Sequence, residues 1–219
     1  MRQLVDQYYH KGLRNKLIES LRERGISNEK VLDAIRDVPR HFFLDSAFDR
    51  IAYEDKAFDI GAGQTISQPY AVAFQTHLLD LKPKDKVLEI GTGSAYQACV
   101  LAQLGAKVFT IERQKELYLN NQQFDYLKQF RLLKMFYGDG FAGLPGYAPF
   151  DKIIITAAAP YIPERLVDQL ITGGIMVIPL DTENGKQRMM RIIKQVDGSI
   201  TKEEFSEFEF VPMLKGKNS

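Results

Sequence analysis

Short apolar runs at 87–90, 107–111, 132–137, 153–157 and 175–180 alternate with helix-compatible stretches at 94–104, 113–129 and 163–171. Few folds accept that rhythm. A buried strand followed by a crossover helix returns to a parallel neighbour, and right-handed crossovers build an open, doubly wound α/β sheet. Pro163 suits a first helical position and Gly173-Gly174 a helix exit. Near the end, 188–195 and 205–212 alternate apolar and polar residues around Asp197-Gly198, which predicts an antiparallel hairpin at one side. The expected fold is a Rossmann-like, mostly parallel sheet with this hairpin and an N-terminal helical arm.

The first run, Val87-Leu88-Glu89-Ile90, ends in Gly91-Thr92-Gly93, and a helical stretch follows. This order places a bare backbone turn at the carboxyl end of a buried strand, where open α/β sheets bind nucleotide-like ligands. Without Cβ atoms, Gly91 and Gly93 allow close approach and positive φ. Glu112 ends the next run and can accept hydrogen bonds from two ribose hydroxyls. A dinucleotide fingerprint would have a third glycine where this chain has Tyr96. Its absence disfavours a nicotinamide dehydrogenase and points to a mononucleoside ligand such as S-adenosylmethionine. The alternative is an ordinary strand-to-helix turn.

At 219 residues the chain can form one generous α/β domain, or a domain with an added arm. Its net charge of +1, with both signs scattered, gives no footprint for nucleic acid, and Arg191 to Lys194 fits a solvated strand edge. The single cysteine, Cys99, excludes an intrachain disulfide and suits a reducing compartment; its apolar neighbours predict burial. No apolar run approaches the ~20 residues of a membrane span, and Met1 to Asp6 lacks the apolar core of a secretory signal. A soluble, cytoplasmic monomer is expected. His10, His41 and His77 lack metal-ligand spacing and fit surface or packing positions, so no metal is expected.

Leu13, Leu17, Leu21 and Ile26 share a helical face, Gly25 offers a stop, and Ser27 or Asn28 can cap a second helix carrying Val31, Ile35 and Val38 to Pro39. Arg40 to Gln68 has no sustained periodicity, but Phe42, Phe43, Phe48 and Tyr53 favour an ordered, packed segment. A helix from Pro69 should carry Val72, His77 and Leu78 toward Leu81.

Three further groups bear on chemistry. Gly138-Asp139-Gly140 follows the third run, where Asp139 could accept from an adenine amino group or simply form a turn. Ile155-Thr156-Ala157-Ala158-Ala159-Pro160 ends the fourth run in small residues, leaving room for a ligand or for a closely packed helix. Ile60 to Tyr70 gathers glycines, hydroxyls and an amide before a helix, which Thr65 or Ser67 could merely cap.

From about Val38 to Met213 the chain resembles the protein-L-isoaspartate O-methyltransferase family. The resemblance rests on Pro39-Arg40-His41-Phe42, Ala52-Tyr53-Glu54-Asp55, Gly63-Gln64-Thr65-Ile66-Ser67-Gln68-Pro69, the glycine turn, Gly138-Asp139-Gly140, Ala157-Ala158-Ala159-Pro160 and Phe210-Val211-Pro212. The Thr-Ile-Ser-Gln-Pro block is highly specific; the glycine turn is common to many methyltransferases. Ala95 stands where the family usually has glycine, so modestly altered cofactor affinity is expected.

The resemblance implies methyl transfer from S-adenosylmethionine, leaving S-adenosylhomocysteine, to the α-carboxylate of isoaspartyl residues in proteins and peptides, initiating repair through a succinimide. Ser67 would orient the acceptor carboxylate as the catalytic position, with Thr65, Ile66, Val211 and Pro212 beside the substrate. Ile60, Gly61, Ala62, Gly63, Glu89, Gly91, Thr92, Gly93, Glu112, Asp139 and Gly140 would serve the cofactor. Residues 1–82 would form the arm and acceptor-side lid, and 83–219 the cofactor-binding core. A methyltransferase with a small-molecule acceptor and a cofactor-binding module without activity are the alternatives.

Overall fold

The computed structural model describes residues 4–218. Helix α1 (Tyr8–Glu23) starts earlier than the leucine spacing suggests, because His10 Nδ1 accepts from the Gln7 amide at 3.1 Å and closes the first turn. Gly25, at φ +95°, supplies the predicted stop. Asn28 rather than Ser27 caps α2 (Glu29–Asp37), accepting from the Lys30 amide.

The segment after Pro39 is ordered around one buried cation. Arg40 is completely buried, with Nε donating to the Ala52 carbonyl at 3.0 Å and Nη2 to that of Lys56 at 3.1 Å. Its guanidinium lies over the rings of Phe58 and Tyr96, 5.9 and 5.3 Å from their centroids. With no carboxylate in salt-bridge reach among the described residues, it is held by carbonyl dipoles and π-faces; burial lowers its pKa to about 10. The segment contains two 3-10 turns, Arg40–Phe43 and Ser46–Phe48, and a hairpin of β1 (Phe58–Gly61) and β2 (Gln64–Ile66). Strands of four and three residues are too short for a period-2 pattern, so the sequence did not predict this hairpin.

α3 (Pro69–Leu78) leads into the main sheet, built from β3 (Lys86–Ile90), β4 (Lys107–Glu112), β5 (Leu133–Tyr137), β6 (Phe150–Ile155), β7 (Leu170–Asp181), β8 (Gln187–Lys194) and β9 (Ile200–Phe208). Strand order is β5-β4-β3-β6-β7-β8-β9, parallel through β7 and antiparallel beyond it. Chain direction across the sheet reverses between β3 and β6, so the carboxyl ends of these strands form the topological switch point. Both faces are covered. Val87, Val108, Ile154 and Val177 join a core shared with α1 to α4, while Leu88, Phe109, Ile153 and Met176 join a second core with Leu166 and Phe141. Two-sided burial is why these strands read as continuous apolar runs.

Three boundaries differ from expectation. The helix expected over 113–129 is α5 (Lys115–Gln122) followed by a 3-10 turn at Asp125–Gln129, with the Phe124 ring packed against Phe43 and Tyr126. The helix expected over 163–171 is only α6 (Glu164–Asp168), and Gly173-Gly174 lies inside β7. A Cβ on Gly174 would meet the Ile171 carbonyl oxygen at 2.8 Å, so these glycines serve an irregularity in the β6–β7 pairing rather than a helix exit. The last hairpin strand runs from 200 to 208, not 205 to 212.

Candidate active site

At the switch point β3 ends in the glycine turn and α4 (Tyr96–Gln103) begins. Gly91 has φ +95°, and a Cβ there would lie 2.6 Å from Thr156 Oγ1, so no other residue fits. The Thr156 hydroxyl lies 2.7 Å from the Gly91 carbonyl and 3.0 Å from that of Ile90, clamping the end of β6 onto the turn. On the other side Glu112 Oε2 accepts from the Gly93 amide and Oε1 from the Gln114 amide, both at 2.8 Å. A carboxylate offers about four lone-pair sites, so this buried group can both hold the turn and accept two further hydrogen bonds.

An open cleft of about 770 Å³, including its solvent-filled mouth, lies above this turn. Gly91, Thr92, Gly93, Glu112 and Gly140 line it together with Thr65, Ile66, Ser67, Val211 and Pro212. Residues distant in sequence thus share one chamber. Gln68 occupies the N-cap of α3 without a side-chain hydrogen bond to it, so neither Thr65 nor Ser67 caps the helix. Pro212 is held by two main-chain bonds around it, from the Ala158 amide to the Val211 carbonyl (2.8 Å) and from the Met213 amide to the Ala158 carbonyl (2.7 Å).

Other predicted cofactor residues lie outside the walls of this cleft. Ile60, Gly61, Ala62 and Gly63 form the end of β1 and the hairpin tip, and the Ile60 Cδ1 lies 3.4 Å from a Cβ built on Gly93. Ile60 lines a second hollow with Phe42, Phe43, Leu117 and Phe124 on the far side of Gly93 and Ser94. Asp139 Oδ1 accepts from the Phe141 amide at 2.9 Å, the turn-forming role. Its flanking glycines are required by packing, since Cβ atoms on Gly138 and Gly140 would fall 2.8 Å from Ile111 Cδ1 and 2.5 Å from Ile90 Cγ2.

Glu89 lies beneath the cleft floor. It is fully buried, and among the described residues neither carboxylate oxygen makes a well-formed hydrogen bond, the nearby Thr110 hydroxyl only partly offsetting the cost of its charge. Burial raises its pKa to about 8, and the charge on Glu112 adds to that rise. Thr110, paired with Glu89 across the strands, has its hydroxyl 2.7 Å from that of Thr92. Thr92 therefore ties two strand ends together as well as lining the cleft.

Sequence reasoning did not assign roles to Thr156, Arg113 or Gln97, all of which line the cleft. Thr156 stands in the small-residue run after β6, but its contact with Gly91 spans three strand connections and leaves no local signal. Ala95, in place of the family's glycine, has φ +67° and is completely buried, turned into the core rather than toward the cleft. His10 and His41 stack with ring centroids 3.6 Å apart, and Asp6 joins them within 4.8 Å. Their polar atoms serve docking of the arm: His41 Nδ1 meets the Tyr53 hydroxyl at 2.7 Å, His41 Nε2 meets the Val5 carbonyl at 3.3 Å, and Asp6 pairs with Arg14 at 2.8 Å.

The profile of the protein-L-isoaspartate(D-aspartate) O-methyltransferase family matches residues 12–218. The chain belongs to this family. A protein-L-isoaspartate O-methyltransferase of Flavobacterium johnsoniae is 52% identical over 98% of this chain and all of its own length. One from Flavobacterium psychrophilum is 53% identical with the same coverage. A Plasmodium falciparum structure assigned to the same methyltransferase family, solved in complex with S-adenosyl-L-homocysteine, superposes with a TM-score of 0.80 at 26% identity, covering 94% of this chain and 98% of that one. Isoaspartate methyltransferase family membership agrees with the switch-point cleft and mostly parallel sheet described above.

Proposed function

We propose that this chain transfers a methyl group from S-adenosylmethionine to the free α-carboxylate of L-isoaspartyl residues in damaged proteins and peptides, opening a repair route through a succinimide. One observation carries the proposal: the glycine turn and Glu112 share a single cleft with Ser67 and Val211-Pro212. The donor set suits the cofactor. Glycine backbone is bare where a methionyl chain would run, and Glu112 retains acceptor capacity for ribose hydroxyls. The bound cofactor supplies an electrophilic methyl group on a sulfonium.

An acceptor carboxylate is ionised far above its pKa of ~4, so no general base is needed. The carbon–oxygen bond forms as the carbon–sulfur bond breaks, the electron pair passes to sulfur, and a neutral ester and thioether result. Charge disappears along this path, so the protein's task is alignment and exclusion of water, with alignment worth up to ~7–11 kcal/mol in favourable cases. In this scheme Ser67 orients the carboxylate by a hydrogen bond, and Thr65 and Ile66 close the acceptor side. The Val211 carbonyl already accepts from the Ala158 amide, so a main-chain bond to substrate at this position would use the Val211 N–H or the carbonyl's second lone pair.

We assign residues 1–82 to an arm and acceptor-side cap and 83–219 to the cofactor-binding core, working as a cytoplasmic monomer on isoaspartyl proteins without nucleic acid. No helix among the described residues is long and apolar enough to cross a membrane. Incubation with methyl-labelled S-adenosylmethionine tests the assignment. Base-labile label should appear on an isoaspartyl peptide and not on its aspartyl twin; equal labelling of both, or of neither, would refute it.

A further inference from the structure

Beyond β9 the chain returns across the carboxyl edge of the sheet. One anchor is the pair of main-chain bonds at Ala158, after β6. The other is Asn218, whose amide donates to the Arg113 carbonyl at 2.8 Å and whose carbonyl accepts from the Lys115 amide at 3.0 Å, after β4. Because β3 lies between β6 and β4, residues 213–218 form a strap over the switch point. Met213 and Leu214 line the cleft together with Glu112, and the Met213 Cε is 3.4 Å from where a Cβ on Gly140 would stand.

Between its anchors the strap has little to hold it. Among the described residues, Arg113 is the side chain that bonds its middle, with Nε donating to the Gly216 carbonyl at 3.2 Å and Nη2 reaching that of Lys215 at 3.5 Å. Lys215 and Lys217 add only ring contacts, at 5.7 Å to Phe141 and Tyr161 and 5.2 Å to Tyr137. Arg113 directly follows Glu112 and lines the same cleft.

We propose that Arg113 is a positioning residue that clasps the 213–218 strap over the nucleoside end of the cleft and thereby sets the residence time of S-adenosylmethionine and its product. This rests on the methyltransferase assignment. A nucleoside held between Glu112 and Gly140 lies against Met213 and Leu214 of the strap, so release of Gly216 widens its exit. A guanidinium holds this carbonyl with a charge-assisted bond. An ammonium would retain the charge on a single flexible donor group without the planar fork.

Stopped-flow release of S-adenosylhomocysteine tests the clasp in the full chain. Arg113→Ala should release it roughly ten-fold faster, the effect of losing a hydrogen bond donated by a charged group. KM for S-adenosylmethionine should rise in parallel while KM for the isoaspartyl peptide stays in place, and Arg113→Lys should recover part of the loss. Asn218→Ala, which removes the bond its side-chain amide donates to Gln114 Oε1 at 2.5 Å and leaves Arg113 unaltered, should also speed release. Unchanged release in both variants would overturn the proposal, as would equal rises in both KM values with a lowered melting temperature. If the native chain fails to retain S-adenosylhomocysteine, the methyltransferase assignment falls as well; retention with unaltered variants removes the clasp alone.

Discussion

Glu112 carries two duties, and its substitution separates them. Both oxygens accept backbone amides that shape the turn. In Glu112→Gln one of those amides would face an NH2 group, and the charged acceptor for ribose is lost. Affinity for S-adenosylhomocysteine should fall roughly ten- to a hundred-fold, from ~1.5–3 kcal/mol for a bond to a charged group; unchanged calorimetric affinity would remove the residue from the site. Ser67→Ala should instead lower turnover while leaving that affinity intact. Glu89 makes a different prediction. Its folded-state pKa of about 8 lies above the ordinary glutamate value of 4.5, so its contribution to stability is fully present below about 4.5 and is lost as pH rises through 8. The neutral isostere Glu89→Gln should therefore melt increasingly above the native chain between about pH 4.5 and pH 8, the gap levelling off beyond that. A melting difference independent of pH would contradict this. The glycine turn and Glu112 were legible because their signal is local, whereas the Thr156 clamp on Gly91 and the Arg113 clasp on Gly216 appear only when distant segments meet.

The arm is the element most exposed to pH. The carbonyl of Val5 can only accept, so His41 Nε2 carries the proton and Nδ1 accepts from the Tyr53 hydroxyl. Arg14 donates to the same hydroxyl at 3.0 Å, and His10, Asp6 and Asp49 also act on the His41 ring. Burial holds the His41 pKa down to about 4, below its usual 6.5. The undocked arm therefore takes up the proton first. Docking is at full strength above about 6.5 and weakens as pH falls from there to 4. Hydrogen exchange across α1 should accelerate over that interval ahead of the sheet; uniform acceleration would refute a local latch. Elements with long apolar runs were readable in the sequence because two-sided burial makes each strand continuously apolar. The β1–β2 hairpin, the break after α5 and the Gly173-Gly174 irregularity were hidden because packing around Arg40, Phe124 and the β6–β7 pairing overrides local preference.

At the scale of the molecule, a sheet whose crossovers diverge between β3 and β6 brings a nucleoside turn against an acceptor segment drawn from the opposite end of the chain. That meeting is the central claim, since each half alone is a common structural feature. A crystal structure with S-adenosylhomocysteine tests it most directly. The ligand should lie with its ribose hydroxyls on Glu112, its base toward Gly140 under the 213–218 strap, and its sulfur facing Ser67. An empty cleft, or a nucleoside seated in the hollow beside Phe42 and Phe124, would contradict the account.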